Sequence, residues 1–378
     1  MPTPVASVSK QNTQGGARIV TAAEAGIATS ELAAFYRKHW ARPIALSRED
    51  FAEWQLCAPP GADGRNHSVV ALIDDQIVAV MGANPSAFVH KGEVLSGAEL
   101  TTWIVSPAAR GLGIGRSILR FLQERYQLLL GGGISGAAKP LYLGAGFALL
   151  AHLPRFFHVA NFDLIGTFAD ATASALSLTR DRQAATRAVT WKATETPAAD
   201  LAPLASLQGT SGLRRDAARL DWRHDRHPFF RYQAFHVRDA CSPGQGAGVI
   251  IRSDTVEGVA ILHLVDLFGD SVDWPAALSF VESEARSRNA AFVDFSGTNG
   301  ALGGLIRSRG WTSAVDDPLV ELPSLFHPVE LRHPPTTSLA IWGAQGRESL
   351  FDFGNLHLTK ADLDLDRPTL AFLEPGPC

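Results

Sequence analysis

The sequence is poor in cysteine and has no excess charge of one sign. Its three cysteines, Cys57, Cys241 and Cys378, are far apart and odd in number. This argues against a disulfide framework or a structural zinc site, and it favours a reducing compartment, so we expect a cytoplasmic location. Lys and Arg number 34 against 38 Asp and Glu. A mildly acidic balance argues against general nucleic-acid binding, which needs a concentrated basic face.

Long uninterrupted hydrophobic runs are also missing. The longest apolar stretch, Leu128 to Pro154, is broken by several glycines, by Lys139 and by Pro140. We therefore expect no membrane span. Hydrophobic residues make up 46% of the chain and charged residues 19%. This composition supplies enough apolar surface for sizeable cores, and the length favours two or three domains.

The order of predicted elements repeats along the chain. Each half contains helices, an antiparallel set of strands and then a strand–helix–strand–helix series, and Trp54 with Pro60 has the same spacing as Trp222 with Pro228. We predict a mixed α/β (α+β) fold with two similar tandem domains, each a mostly antiparallel sheet flanked by helices. The predicted divisions are a disordered leader (1–17), an N-terminal domain (18–165), a linker (166–190), a second domain (191–325) and a tail that packs on the domains (326–378).

The most informative motif is the glycine-rich turn VSPAARGLGIGR, which runs from Val105 to Arg116 between a predicted strand and a predicted helix. Three glycines at alternate positions let the backbone fold tightly with its N–H groups pointing inward, next to the positive end of the helix dipole. Such a turn suits a pyrophosphate. A lone GxGxG is a weak signal, because turn geometry alone also favours it. A Rossmann fingerprint and a Walker A loop fit less well, because a hairpin precedes the turn and no Gly-Lys-Ser/Thr follows.

Two segments together resemble the GNAT superfamily of acyl-CoA-dependent N-acyltransferases. Arg110-x-x-Gly113-x-Gly115 is similar to its acyl-CoA signature, and Tyr142 followed by Gly146-Phe147 is similar to its second signature. The resemblance covers about residues 18–165. It implies acetyl-CoA or another acyl-CoA as co-substrate, no metal, and direct attack of an amine on the thioester. The co-substrate-binding residues that it implies are Ile104, Val105, Arg110, Gly111, Leu112, Gly113, Ile114, Gly115 and Arg116.

The resemblance also implies roles for two catalytic side chains. Tyr142 matches the tyrosine that protonates the leaving thiolate, although a tyrosine on such a helix also serves for packing alone. Glu99 begins the strand before the turn, where relatives often place a carboxylate base, but a solvated strand end is an equal alternative. His152 and His158 follow the Gly-Phe segment and are weaker candidates for contact with the acceptor.

The second half lacks a comparable turn. After Leu267 the sequence reads FGDSVD, whose aspartates would repel a pyrophosphate, so we expect a degenerate copy that does not bind CoA. The segment WRHDRHP has no second histidine or carboxylate cluster nearby in sequence, which argues against a metal site. A loose resemblance to sugar N-acyltransferases implies that Arg223, Arg226 and Arg231 hold a nucleotide-sugar phosphate, unless they pair with Asp221 and Asp225.

Three functions remain open from the sequence. The leading one is an N-acyltransferase, most simply an N-acetyltransferase, acting on a small-molecule amine such as a nucleotide-linked amino sugar. The second is a non-catalytic CoA-binding scaffold, and the third is aminoacyl transfer from tRNA. The sequence names neither the acceptor nor an oligomeric state. The intact glycine turn favours the first function.

Overall fold

The computed structural model describes residues 13–373 except 15, 43, 318–319, 328 and 364. The strands are β1 (Thr13–Gln14), β2 (Ala17–Thr21), β3 (Val69–Ile73), β4 (Gln76–His90), β5 (Glu93–Val105), β6 (Leu128–Gly132), β7 (Ala148–Leu150), β8 (Arg155–Val159), β9 (Asp170–Ala171), β10 (Trp191–Thr196), β11 (Ser211–Leu213), β12 (Gln233–Asp239), β13 (Ala247–Val256), β14 (Val259–Gly269), β15 (Phe292–Ser296), β16 (Thr312–Ser313), β17 (Val320–Glu321), β18 (Leu325–Phe326), β19 (Val329–Glu330), β20 (Leu339–Gly343) and β21 (Leu356–His357). The helices are α1 (Ala22–Ala25), α2 (Thr29–His39), α3 (Glu49–Leu56), α4 (Ile114–Gln123), α5 (Lys139–Gly144), α6 (Ala173–Ala184), α7 (Ala202–Ala205), α8 (Ala217–Leu220), α9 (Trp274–Ser287), α10 (Gly300–Ser308) and α11 (Leu370–Leu373).

The first sheet has the order β1-β2-β3-β4-β5-β6-β20-β7. Along this path the pairings are antiparallel apart from the parallel pair β5 and β6. Off the path, β11 pairs with β4 antiparallel and with β21 in parallel. One face is covered by α4, whose Ile114, Ile118 and Leu122 form a buried apolar stripe at helical spacing. The opposite face packs against α2 and α3. Both helix layers therefore lie against the strand that leads into the glycine-rich turn.

The second sheet repeats this order of pairings. Its strands run β10-β12-β13-β14-β15-β8-β16, antiparallel except for the parallel pair β14 and β15. Helices α9 and α10 pack on its core. The expectation of mixed, mostly antiparallel sheets flanked by helices is confirmed.

The two sheets exchange one strand. β8 follows β7 in the chain but lies in the second sheet between β15 and β16. β20 lies in the first sheet between β6 and β7. The predicted boundaries at 165 and 325 therefore do not separate the strands of one sheet from those of the other. A sequence pattern cannot show which sheet a short strand joins.

The two ends of the chain are only partly described. Most of the predicted leader lies outside the described residues, but its end forms β1, which pairs with β2. Within the described ranges, no helix is long and apolar enough to cross a bilayer.

Candidate active site

The first sheet opens where β5 and β6 separate. Their parallel register ends at Leu100 opposite Gly131, and β5 then continues to Val105 in register with β4. The two residues that follow Leu100 stand opposite the single residue Gly82, which makes a β-bulge. A bulge bends its strand. The gap between β5 beyond Leu100 and β6 beyond Gly131 is called the cleft below.

The glycine-rich turn lies at the end of β5, and its residues 110–116 are called the cradle. Gly111 and Gly113 have φ of +85° and +75°, where a side chain is disfavoured. A Cβ on either glycine would meet no atom within 4 Å, so the space around both is open. Gly113 is the N-cap of α4, and the first N–H groups of a helix have no carbonyl partner inside it. These exposed N–H groups and the helix dipole form a site for an anion.

Trp103 supports the cradle from beneath. A Cβ on Gly115 would lie 2.8 Å from Cζ2 of this indole, so the first turn of α4 can approach the ring only because residue 115 is glycine. The indole Nε1 is buried and has no hydrogen-bond partner in the described part of the chain. Glycine is therefore needed at position 115 for close packing on Trp103, and at positions 111 and 113 for a positive φ.

Tyr142 lies at the base of the cleft. Its hydroxyl is 3.6 Å from a Cβ built on Gly131, where the β5–β6 pairing ends. Its ring is buried edge-on against Trp103 and Phe147, with centroids 5.7 and 4.8 Å away. Burial raises the pKa of Tyr142, so the phenol stays protonated at neutral pH and can donate a hydrogen bond.

Backbone donors face the cleft from β5. The N–H of Ser106 donates to the Val78 carbonyl, 2.8 Å away on β4. Because N–H directions alternate along a strand, the N–H of Ile104 also points towards β4, whereas that of Val105 points away from it. Of the two donors that the resemblance implies, Val105 is the one directed to the cleft.

Glu99 is held by a contact from the second half of the chain. Its Oε1 accepts hydrogen bonds from Ser86 Oγ at 2.6 Å and from Arg219 Nη1 at 2.7 Å. Both charged side chains are about nine-tenths buried. This Oε1 is therefore unavailable to an incoming amine. No described residue donates a hydrogen bond to Oε2.

Residues 29–134 match the family model described as Acetyltransferase (GNAT) family. The resemblance to the GNAT family is confirmed over this segment. The fold of the chain is similar to that of a GCN5-related N-acetyltransferase from Anabaena variabilis, with a TM-score of 0.57 and 12% identity over 86% of this chain and 72% of that one. It is also similar to a GCN5-related N-acetyltransferase from Kribbella flavida, with a TM-score of 0.50 and 17% identity over 89% and 72% of the two chains. No curated protein sequence matches the chain significantly.

The GNAT fold uses acyl-CoA as co-substrate, and the cradle fits this molecule by an observation independent of the family match. Open space surrounds two positive-φ glycines at a helix N-terminus. The residues implied by the GNAT resemblance are contiguous there: Arg110, Gly111, Leu112, Gly113 and Arg116 are exposed, Gly115 is half-buried, and Ile114 anchors α4 in the core. Pyrophosphate could thus reach the backbone without displacing a side chain.

The corresponding turn of the second sheet is closed. At the start of α9, the buried carboxylate of Asp273 accepts hydrogen bonds from the N–H groups of Asp239, Gly244 and Gly246. Asp270 accepts another from Gln245. Backbone N–H groups around the start of this helix therefore already donate hydrogen bonds to carboxylates of the chain itself.

Two of the three arginines that the sequence offers for a phosphate bind other groups of the chain. Arg223 is buried and donates to the carbonyls of Ala361 and Asp366. Arg226 Nε forms an ion pair with Asp221 Oδ2 at 2.6 Å. This is the local pairing that the sequence analysis left open as the alternative to a phosphate site. Arg231 is exposed.

The histidines of this segment are buried and neutral. Burial, followed by the positive charge of Arg223, lowers the pKa of His224 to about 3 and that of His227 to about 2. His158 is also buried, on β8 of the second sheet, whereas His152 is exposed. No group of three His, Cys, Asp or Glu residues within the described ranges could hold a metal ion.

Sequence analysis did not assign Arg219 or Arg367 to the site, although both reach β5. Arg219 binds Glu99, and Arg367 donates from the C-terminal tail to Thr102 Oγ1 at 3.1 Å. Both contacts span more than 100 residues. A local sequence pattern carries no signal for such pairs.

Proposed function

We propose that this protein is an acyl-CoA-dependent N-acyltransferase, with acetyl-CoA as the simplest donor. The observation that carries the proposal is the alignment of three features along β5. The open cradle lies at its end, Val105 N–H faces the cleft, and the protonated Tyr142 lies at the base of the cleft. The site thereby combines anion binding, carbonyl polarisation and acid catalysis, which are the three functions that acyl transfer from CoA needs.

In the proposed reaction the acceptor nitrogen attacks the thioester carbonyl, forming a C–N bond as the C–S bond breaks. The backbone N–H of Val105 stabilises the negative charge that develops on the carbonyl oxygen. Tyr142 gives its proton to the leaving thiolate, and Glu99 Oε2 takes the proton that the amine loses. Leu112, Gly113, Ile114, Gly115 and Arg116 offer backbone N–H groups to the pyrophosphate, and Arg110 adds positive charge.

We further propose that the second half is a degenerate copy that serves as the acceptor wall. Support comes from its repeated order of strand pairings, its closed turn at Asp273 and the contact of Arg219 with Glu99. The acceptor is then a small amine bound between the two halves. An amino sugar is one candidate.

The proposal is tested by following release of the free CoA thiol from acetyl-CoA with panels of amino sugars, polyamines and amino acids. We expect release that depends on an amine and a matching acylated product by mass spectrometry. A protein that binds acetyl-CoA but transfers to no amine would instead be a scaffold. A protein that does not bind acetyl-CoA would refute the donor as well.

A further inference from the structure

Arg219 has one unused donor group beside the proposed base. Nη1 of this guanidinium binds Glu99 Oε1, whereas Nη2 is buried and has no hydrogen-bond partner in the described part of the chain. Buried polar groups are nearly always hydrogen-bonded, so an unpartnered guanidinium nitrogen calls for a ligand or water. Because the guanidinium is planar, Nη2 lies next to the nitrogen that holds Glu99.

Glu99 and Arg219 together present one acceptor and one donor side by side. Glu99 Oε2 accepts no hydrogen bond from a described residue, and Arg219 Nη2 donates none. One unused atom belongs to the carboxylate and the other to the guanidinium, and the bonded atoms of these two groups are 2.7 Å apart. A ligand that satisfies both atoms needs a hydrogen-bond donor for Glu99 Oε2 and an acceptor for Arg219 Nη2, and a molecule with one positive and one negative group supplies them.

We propose that the acceptor is an amine with an adjacent carboxylate, that is, an α-amino acid or an amine of that form. Its ammonium group binds Glu99 Oε2, and its carboxylate binds Arg219 Nη2. A single carbon separates the two groups in an α-amino acid, which matches the neighbouring atoms of the ion pair. In a nucleotide-linked amino sugar, several bonds separate the amine from the phosphate. This inference rests on the proposed acyltransferase function and narrows its substrate class.

Arg367 of the C-terminal tail also reaches this strand, next to the bulge. It donates to Thr102 Oγ1, three residues beyond Glu99. Ser86 fixes the carboxylate of Glu99 from β4. The second half and the tail thus both supply side chains that bind the strand carrying the proposed base.

The test compares matched acceptors that differ only in the carboxylate: phenylalanine with phenethylamine, tyrosine with tyramine, tryptophan with tryptamine, and lysine with cadaverine. CoA thiol release is measured for each, with glucosamine 6-phosphate as the phosphate-bearing alternative. A charged hydrogen bond supports a preference of about 10- to 100-fold in kcat/KM for the acid of the best pair. Equal rates within every pair, or a preference for the phosphorylated sugar, would overturn the inference and leave the acyltransferase function intact. Absence of transfer to every amine would refute the function itself.

A conservative variant tests the residue assignment. Arg219→Lys keeps a positive charge for Glu99 but has no second guanidinium nitrogen, so the acid-to-amine ratio of kcat/KM should fall about tenfold. A general loss of activity lowers kcat/KM for both acceptors equally, so it leaves the acid-to-amine ratio unchanged. The matched control is Arg18→Lys, which changes a partly exposed arginine on β2 and should leave the ratio unchanged. An unchanged ratio in a folded Arg219→Lys protein would overturn the assignment, and if this variant does not fold, the wild-type panel decides.

Discussion

At the scale of single residues, Tyr142 carries the clearest chemical prediction. Tyr142→Phe keeps the ring that packs on Trp103 and Phe147 and removes only the hydroxyl. If the hydroxyl protonates the leaving thiolate, kcat and kcat/KM should fall together by roughly 10²–10⁴, while acetyl-CoA affinity stays near wild type. Because burial raises the pKa of Tyr142, the wild-type rate should show no loss from phenol ionisation below about pH 10. A Phe variant with wild-type kcat would remove Tyr142 from the mechanism.

The contact between Gly115 and Trp103 gives a second residue-scale prediction. Gly115→Ala places a methyl group 2.8 Å from the indole, so it should lower the free energy of unfolding by about 1–3 kcal/mol and weaken acetyl-CoA binding. A double variant that combines Gly115→Ala with Trp103→Leu lacks this clash, so it should regain part of the lost stability and part of the lost acetyl-CoA affinity. Thermal unfolding and calorimetric titration measure the two effects.

The control for this pair is Gly304→Ala on α10. No atom lies within 4 Å of a Cβ at that position, so we expect unchanged binding and unchanged or slightly higher stability. If Gly115→Ala behaved like this control, Trp103 would not set the position of the cradle.

At the scale of elements, strand exchange ties the two halves together. β20 fills the place between β6 and β7, and Ile341 at its centre is fully buried. Ile341→Ala should therefore lower the free energy of unfolding by about 2–5 kcal/mol, with both sheets melting in one transition. Val272→Ala, at an exposed site before α9, should change it by less than about 0.5 kcal/mol. Two separate calorimetric transitions would contradict a mutual dependence of the sheets.

Local elements were predictable from the sequence, whereas exchanged strands were not. The turn from Val105 to Arg116 carries its own glycine and helix signals within twelve residues, and the structure places an open helix start there. β8 and β20 are short apolar strands, and their own residues do not specify which edge they complete. The same reason explains why Glu99 could be named but Arg219 could not. Their contact depends on how the halves pack.

At the scale of the whole molecule, buried histidines near the contact between the halves predict sensitivity to acid. Stacked rings of Trp54 and Trp222 join the halves, and the ring of His227 lies edge-on to Trp54. Its Nδ1 accepts hydrogen bonds from the N–H groups of Phe229 and Phe230. Burial lowers the pKa values of His227, His224 and His158 to about 2, 3 and 4.

Because these pKa values are lower in the folded state, the unfolded chain binds more protons below its ordinary histidine pKa. Stability should therefore be full above about pH 6.5 and fall as the pH decreases, by about 1.4 kcal/mol per pH unit for each fully titrating histidine. His227→Asn retains an acceptor for the two N–H groups and does not titrate, so its urea-unfolding stability should fall less steeply between pH 6.5 and 4.5. Equal slopes for the variant and the wild type would contradict this account.

The central claim is that acetyl-CoA, the acyl donor, binds at one site per chain, the cradle. Calorimetric titration with acetyl-CoA tests this claim most directly. We predict one site per chain, because the second turn is closed by Asp273. Gly113→Asp adds a negative charge beside the pyrophosphate and should weaken binding at least about 100-fold. Gly113→Asn, which has the same shape without the charge and tolerates positive φ, should weaken it far less. Two sites per chain, no binding at all, or equal affinities for the Asp variant and the wild type would contradict the account.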